Sequence, residues 1–287
     1  MLRTGSVCFF RKRWEHNNRR SFAKRATELG ATLHVKEEVV EIITEQNKAT
    51  AIKLKNKEVI EADHIILNGD LLSVYPKLIG ESKRPHFTDK KISTVQPSIS
   101  AFVILAALDT RLPNLIHHQV YFSNDYENEF VELFHGQYST DPTIYVCNSS
   151  YTDPSLSPTG DNLFILVNAP ALSKHRDDID VAHYKELIYT KLEQQGLPIR
   201  KHLIHEQVVT PKDIEKDFYS FRGALYGLSA NKKMDAFLRP SNRSQDLSNL
   251  YFAGGSTHPG GGSPMVVISG QNVANLLIKQ TKGVQKV

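Results

Sequence analysis

The stretch from Tyr251 to Gln280, YFAGGSTHPGGGSPMVVISGQNVANLLIKQ, constrains the fold more than any other part of the chain. Five of the 16 glycines fall between Gly254 and Gly262. Glycine permits positive φ and lets backbone N–H groups approach a ligand closely. Pro264 is suited to the first position of a helix, whose positive end then faces whatever the loop holds. Val266, Val267, Ile268, Val273, Leu276 and Leu277 are expected to give that helix a buried face. A phosphate or an electron-rich ring edge is the natural occupant of such a corner; the alternative is a tight glycine turn before a packed helix.

Upstream, SFAKRATELG places Phe22, Ala26 and Leu29 at helical spacing and stops on Gly30. ATLHVKEEVVEI follows, with strand-like Leu33 and Val35, then Val39, Val40 and Ile42. A turn at Asn56-Lys57 separates Ala51, Ile52 and Leu54 from Val59 and Ile60, and HIILN reads as a buried strand opening into Asn68-Gly69-Asp70. The middle of the chain changes character. SISAFVILAAL, TIYVCNSS, LFILVNAP and HLIHEQVVTP read as strands, VAHYKELIYTKLEQQG as an amphipathic helix with a glycine stop.

At 287 residues, length alone predicts about two domains. No run approaches the roughly 18 apolar residues of a spanning helix, and mean hydropathy is −0.34. A formal charge of +4 suits an anionic cofactor or lipid surface and is too weak to argue nucleic acid, so no nucleic-acid partner is expected. Two cysteines, Cys8 and Cys147, without a CxxC make a reducing cytoplasm the simplest setting. Between Met1 and Arg25 eight Lys or Arg residues stand against one acid, Glu15, with Phe9, Phe10 and Trp14 interleaved. This is the composition of a basic leader, a transit peptide or a membrane-binding arm.

No metal site is expected. His202, His205 and Glu206 mimic a zinc motif, but on a strand the two histidines would point to opposite faces. His117-His118 is an adjacent pair in a loop, and chain neighbours rarely ligate one ion. The Asn-x-Ser matches at Asn148 and Asn242 read as chance. GxSxG, GxxxxGK[ST] and GxGxxG are all absent from the sequence, so no self-sufficient Rossmann βαβ unit is encoded in it.

NLYFAGGSTHPGGGSPMVVISGQNVANLLI resembles the C-terminal FAD signature of the bacterial phytoene desaturase family, which includes diapophytoene desaturases and related carotenoid oxygenases. VVTPKDIEKDFYSFRGALYGL, FLRPSNRSQDLSNLYFAGG and the ELGATLHVKEEVVEI and EADHIILNGD segments are similar to that family too, so the likeness runs from about Ser21 to Lys279. It implies an α/β mixture: an incomplete FAD-binding, Rossmann-like domain of the glutathione-reductase/amine-oxidase type (residues 21–75 and 246–287), a mixed-sheet substrate domain (76–245) and an unmatched basic leader (1–20).

By the same resemblance Gly254 and Gly255 lie along the pyrophosphate and ribityl chain of FAD. Pro264, Met265 and Val266 lie at the pyrimidine edge of the flavin, where a helix N-terminus stabilises the negative charge of the reduced ring. Val39 meets the adenine or is a plain core valine, and His258 is a candidate base that equally well only lines the site. The implied substrate is an apolar carotenoid precursor, and peripheral attachment to the inner face of the membrane follows from where such substrates reside. Dehydrogenation by hydride transfer to FAD is the expected reaction. The alternatives are oxidation of terminal methyl groups, to which HPGGGSPMV is at least as near, and a non-catalytic fragment. Family members begin with a GxGxxG unit that is missing here, so a truncated or frameshifted frame is expected.

Overall fold

The computed structural model describes residues 14–173, 179–229 and 239–284. Cys8, Phe9 and Phe10 of the basic stretch lie outside them. The chain divides into two compact units, Met1–Glu38 and Val39–Val287.

In the first unit a helix runs from Trp14 to Glu28, starting earlier than the Ser21 its apolar spacing suggested. It stops as expected on Gly30, at φ +94°. Gly30 N–H donates to Thr27 O at 2.9 Å and Ala31 N–H to Ala26 O at 3.0 Å, the two bonds of a Schellman motif. The strand expected through Leu33 and Val35 does not form. Both side chains are exposed, Lys36 takes a positive φ, and no strand pairs with this segment among the described residues.

The second unit holds three sheets. β1 (Val39–Glu45), β2 (Lys48–Leu54) and β3 (Val59–Glu61) form an antiparallel meander. Its second turn falls at Asn56-Lys57, where Asn56 Oδ1 accepts from Glu58 N–H at 2.9 Å. β4 (Ile65–Leu67) pairs in parallel with the distant β10 (Leu250–Phe252), in register Ile65 to Leu250. Ile42 and Ala49 of the meander pack with Leu67, Leu71, Tyr75, Leu250 and Phe252, so the first two sheets share a core. Asn249 bolts them together: its side-chain oxygen accepts from Ala49 N–H at 2.8 Å, and its amide donates to Ala49 O and Asp63 O, both at 2.7 Å.

The third sheet is antiparallel, with β5 (Ser100–Leu108), β6 (His118–Tyr121), β7 (Ile144–Asn148), β8 (Asn162–Ala169) and β9 (Leu203–Val209) in the order β6-β7-β8-β5-β9. Alternate side chains of the strands point to one face. Phe102, Ile104, Ile144, Val146, Ile165 and Val167 therefore pack against Tyr184, Ile188, Tyr189 and Leu192 of the helix Val181–Gln194. Asp180 caps that helix by accepting from His183 N–H, and Gly196 follows it at φ +85°. On the opposite face Ala101, Val103 and Leu166 meet Ile214 of the helix Pro211–Phe218, while Leu105 and Phe164 stay exposed.

Candidate functional site

β4 and β10 end side by side, and the loops leaving their carboxyl ends are sewn together. Ligands of open α/β sheets bind at such a place. Ala253 N–H donates to Leu67 O, Asn68 Nδ2 donates to Ala253 O at 3.0 Å, and Leu71 N–H donates to Ser256 Oγ at 2.9 Å. Asp70 caps the helix Leu71–Leu78 by accepting from Leu72 and Ser73 N–H. Burial pushes the Asp70 carboxyl above its ordinary range, more than the backbone amides of Phe221, Leu72 and Ser73 pull it back.

The glycine loop is shaped by a buried polar knot. The Asn242 amide donates to Phe252 O (3.0 Å), His258 O (2.9 Å) and Ser269 Oγ (3.0 Å). Ser269 Oγ in turn accepts from Gly254 N–H at 3.1 Å, and Thr257 Oγ1 donates to Gly254 O at 3.2 Å. Thr257 and Ser269 have no exposed surface. A second clamp comes from Arg239, whose guanidinium donates to Tyr226 O, Gly255 O and Leu228 O at 3.0, 3.1 and 3.5 Å. It has no carboxylate partner among the described residues, and burial lowers its pKa from the usual guanidinium value. Among the described residues, the loop therefore rests on a positive charge with no carboxylate beside it.

Two glycines are required by this geometry. Gly254 has φ +122°, and a Cβ there would stand 3.2 Å from Asn68 Nδ2. Gly260 has φ +132°, with Arg239 Nε 3.0 Å from the position of a Cβ. The amides of Gly255, Gly261 and Gly262 donate to no acceptor among the described residues.

The helix Ser263–Val284 begins as the sequence implies, with Pro264 in its first turn and Val266 N–H donating to Gly262 O at 3.0 Å. Its apolar residues do not all turn inward. Ser269 and Val273 are buried, with Leu276 and Leu277 half-buried against Tyr251 and Ala253. Val266, Val267 and Ile268, expected on the buried face, are 37%, 43% and 41% exposed, and Met265 is 41% exposed. A 3.6-residue period allows one buried stripe, and four consecutive apolar residues cannot all share it. The surplus apolar surface surrounds the open, electropositive end of the helix.

The sequence-derived positions thus divide. Gly254, Gly255, Pro264, Met265 and Val266 sit on one continuous loop and helix start, with His258 on the same loop. His258 is exposed, its carbonyl accepts from Asn242, and no hydrogen bond orients its ring among the described residues. Val39 opens β1, half-buried, on the separate meander. Asn242, Thr257, Ser269, Asn68, Asp70 and Arg239 were not legible as site residues. Asn242 had been read only as a chance Asn-x-Ser, and its burial agrees that it is no glycosylation acceptor. The signal for Asp70 was present in Asn68-Gly69-Asp70, a capping residue placed directly after a strand.

The histidines fall elsewhere. His202 ends the short helix Ile199–His202 instead of lying in β9, and its Nδ1 pairs with Asp109 Oδ1 at 3.0 Å. His118 lies in β6, not in a loop, directly opposite Cys147 of β7. On the exposed face of the five-stranded sheet, Cys147 also borders an open cavity of about 370 Å³ lined with Leu105, Phe164, His205 and Gln207.

An electropositive helix start, a glycine loop with unbonded amides and the carboxyl ends of two parallel strands are the elements of a site for an anionic, ring-bearing cofactor. The chain belongs to the flavin containing amine oxidoreductases, whose family model matches residues 5–278 and so begins inside the basic stretch. It is 35% identical over 268 residues to a 4,4'-diaponeurosporene oxygenase of Staphylococcus haemolyticus, covering 91% of this chain and 52% of the relative. It is 36% identical to the protein of the same name from Staphylococcus aureus strain USA300, covering 91% of this chain and 53% of the relative. The chain thus spans about half the length of the curated relatives it matches. Among solved structures an oxidoreductase from Methanosarcina mazei superposes with a TM-score of 0.57 at 17% identity, covering 89% of this chain and 53% of that one. That likeness shows a shared α/β fold.

The cofactor of the family is FAD, and the residues present fit its flavin side. The amides of Gly255, Gly261 and Gly262 have no acceptor among the described residues, and Pro264 to Val266 offer exposed surface, mostly apolar, at a helix N-terminus.

Proposed function

We propose that this chain supplies the flavin-facing wall and the substrate domain of an FAD-dependent enzyme that oxidises a carotenoid, and that the oxidised group is a terminal methyl. The observation that carries the reading is the 35% identity to a diaponeurosporene oxygenase over 91% of the chain. Dehydrogenation of the polyene, expected from the resemblance alone, is the second reading. When bound, FAD would accept a hydride from the methyl group, with a water molecule supplying the oxygen and releasing a proton.

The chain's own residues have defined tasks in this reading. Gly254 and Gly255 run beside the phosphate and ribityl part of the cofactor. The first turn of the helix from Ser263 places its positive end against the flavin's pyrimidine edge, and Arg239 adds positive charge behind the loop. Met265, Val266, Val267 and Ile268 keep water from that edge and present apolar surface to a polyene. Transient contact with a membrane is part of the proposal because an apolar polyene partitions into lipid. No helix of the described residues is long and apolar enough to cross a membrane.

Expression of the complete coding locus in cells that accumulate an unoxidised C30 carotenoid tests the proposal. Pigments that gain oxygen support it. Pigments that only lose pairs of hydrogens return the dehydrogenase reading.

A further inference from the structure

We propose that His117, His118 and Cys147 form a binding site for a transition-metal ion of borderline softness, with zinc(II) as the fitting occupant, at the edge of the five-stranded sheet. The site is separate from the glycine loop and independent of the flavin reading.

The strand register creates it. β6 and β7 place His118 directly opposite Cys147, and residues so paired project on the same face with Cβ atoms roughly 5 Å apart. His117 would point to the other face if the strand continued through it. It lies one residue before β6, and although Asn148 N–H donates to its carbonyl at 2.7 Å, its ring lies 4.2 Å from that of His118, centroid to centroid. One ligand atom from each of the three side chains lies within 4.8 Å of the other two. A tetrahedral ion with Zn–N near 2.1 Å and Zn–S near 2.3 Å holds its ligand atoms roughly 3.4–3.7 Å apart. Rotation of exposed or half-exposed side chains closes the difference.

The surroundings also resemble those of a ligand set. A metal-bound histidine is held by a hydrogen bond at its other nitrogen, which sets the ring's orientation and tautomer. Here His118 Nδ1 is bonded to Tyr145 Oη at 2.8 Å, and His117 Nδ1 to Thr152 Oγ1 at 2.5 Å. Tyr145 stands two residues before Cys147 on the same face of β7 and interacts with its thiol as well. Tyr145 therefore touches two of the three ligands. Two imidazoles and a thiolate suit zinc or copper and exclude magnesium and calcium, which take oxygen ligands. Three protein ligands leave one position for water or an incoming group.

Titration of the purified chain with cobalt(II), a coloured stand-in for zinc, tests the site. The expected result is a thiolate-to-cobalt charge-transfer band that saturates at one equivalent and vanishes when zinc(II) is added. Cys147→Ser removes the band, whereas Cys8→Ser, which alters the other cysteine, leaves it. His118→Gln, at an exposed position, weakens cobalt binding at least about tenfold, and Tyr145→Phe weakens it about tenfold. Absence of the band at one equivalent, its persistence in Cys147→Ser, or unchanged affinity in His118→Gln would overturn the proposal. Because no flavin or carotenoid is involved, the outcome is separate from that of the proposed function.

Discussion

The glycine loop and the five-stranded sheet are held in place by opposite means. In the sheet, Phe102, Ile104, Ile144, Val146, Ile165 and Val167 are at most 1% exposed and lie against a helix whose Ile188, Tyr189 and Leu192 are equally dry and whose Tyr184 is buried too. The loop has a hydrogen-bonded centre instead, with Asn242, Thr257 and Ser269 buried behind Gly254. Apolar burial is non-directional and supplies stability. A satisfied polar knot contributes less net energy but specifies one backbone path. The difference matches the tasks assigned to them: the sheet needs to be a firm floor, and the loop must present backbone groups to a cofactor at fixed positions.

The comparison breaks first at the sheet. Phe102 meets Tyr184 and Tyr138 edge to face, with centroids 5.2 and 6.5 Å away. Phe102→Ala is expected to lose about 3–5 kcal/mol in denaturant unfolding, without faster hydrogen exchange confined to the loop. At the loop the signature reverses. Asn242→Ala strands the carbonyls of Phe252 and His258 at a cost of about 1–3 kcal/mol, and exchange of the amides from Gly254 to His258 should accelerate more than that of β5. Gly254→Ala, at φ +122°, should cost on the order of 1–3 kcal/mol with the same local pattern.

The smallest effect belongs to the capping box of the helix Pro211–Phe218. Thr210 Oγ1 accepts from Asp213 N–H, and the Asp213 carboxylate accepts from Thr210 N–H. The Thr210 side chain, then its backbone amide, hold the Asp213 carboxyl below the usual carboxylate range. A depressed folded pKa gives stability that is complete above the unfolded value, about 3.9, and lost as pH falls through the lower folded one. Thr210→Ala is expected to cost about 1 kcal/mol near neutral pH, and acid unfolding curves should show that difference shrinking below about pH 4.

Legibility in the sequence followed the range of the interactions. β5, β7 and β8, the helix Val181–Gln194 and the stops at Gly30 and Gly196 were readable because alternation, helical spacing and glycine act within a few residues. β6 was not, since His118–Tyr121 is four residues long and is made a strand by pairing with β7. The supposed strand at Leu33 and Val35 failed for the converse reason: it has the pattern and no partner strand among the described residues. In the site, the glycines and the Pro264 helix start announced themselves locally. Asn242 and Arg239 are neutral in local pattern and gain their roles only when the chain brings them against Gly254, Gly255 and Gly260. The apolar run from Val266 to Ile268 misled because its hydrophobicity was assigned to burial, whereas the structure leaves it beside the open end of the helix.

The central claim is that this sequence carries the wall of an FAD site that faces the flavin, without the GxGxxG cradle for the ADP half. Titration of the purified chain with FAD and with FMN, followed by flavin fluorescence, tests it most directly. The claim predicts little flavin carried through purification and weak affinities for FAD and FMN that agree within about tenfold, or about 1.4 kcal/mol, both further reduced by Gly254→Ala. Stoichiometric FAD retained through purification, with FMN binding weaker by far more than tenfold, would contradict it.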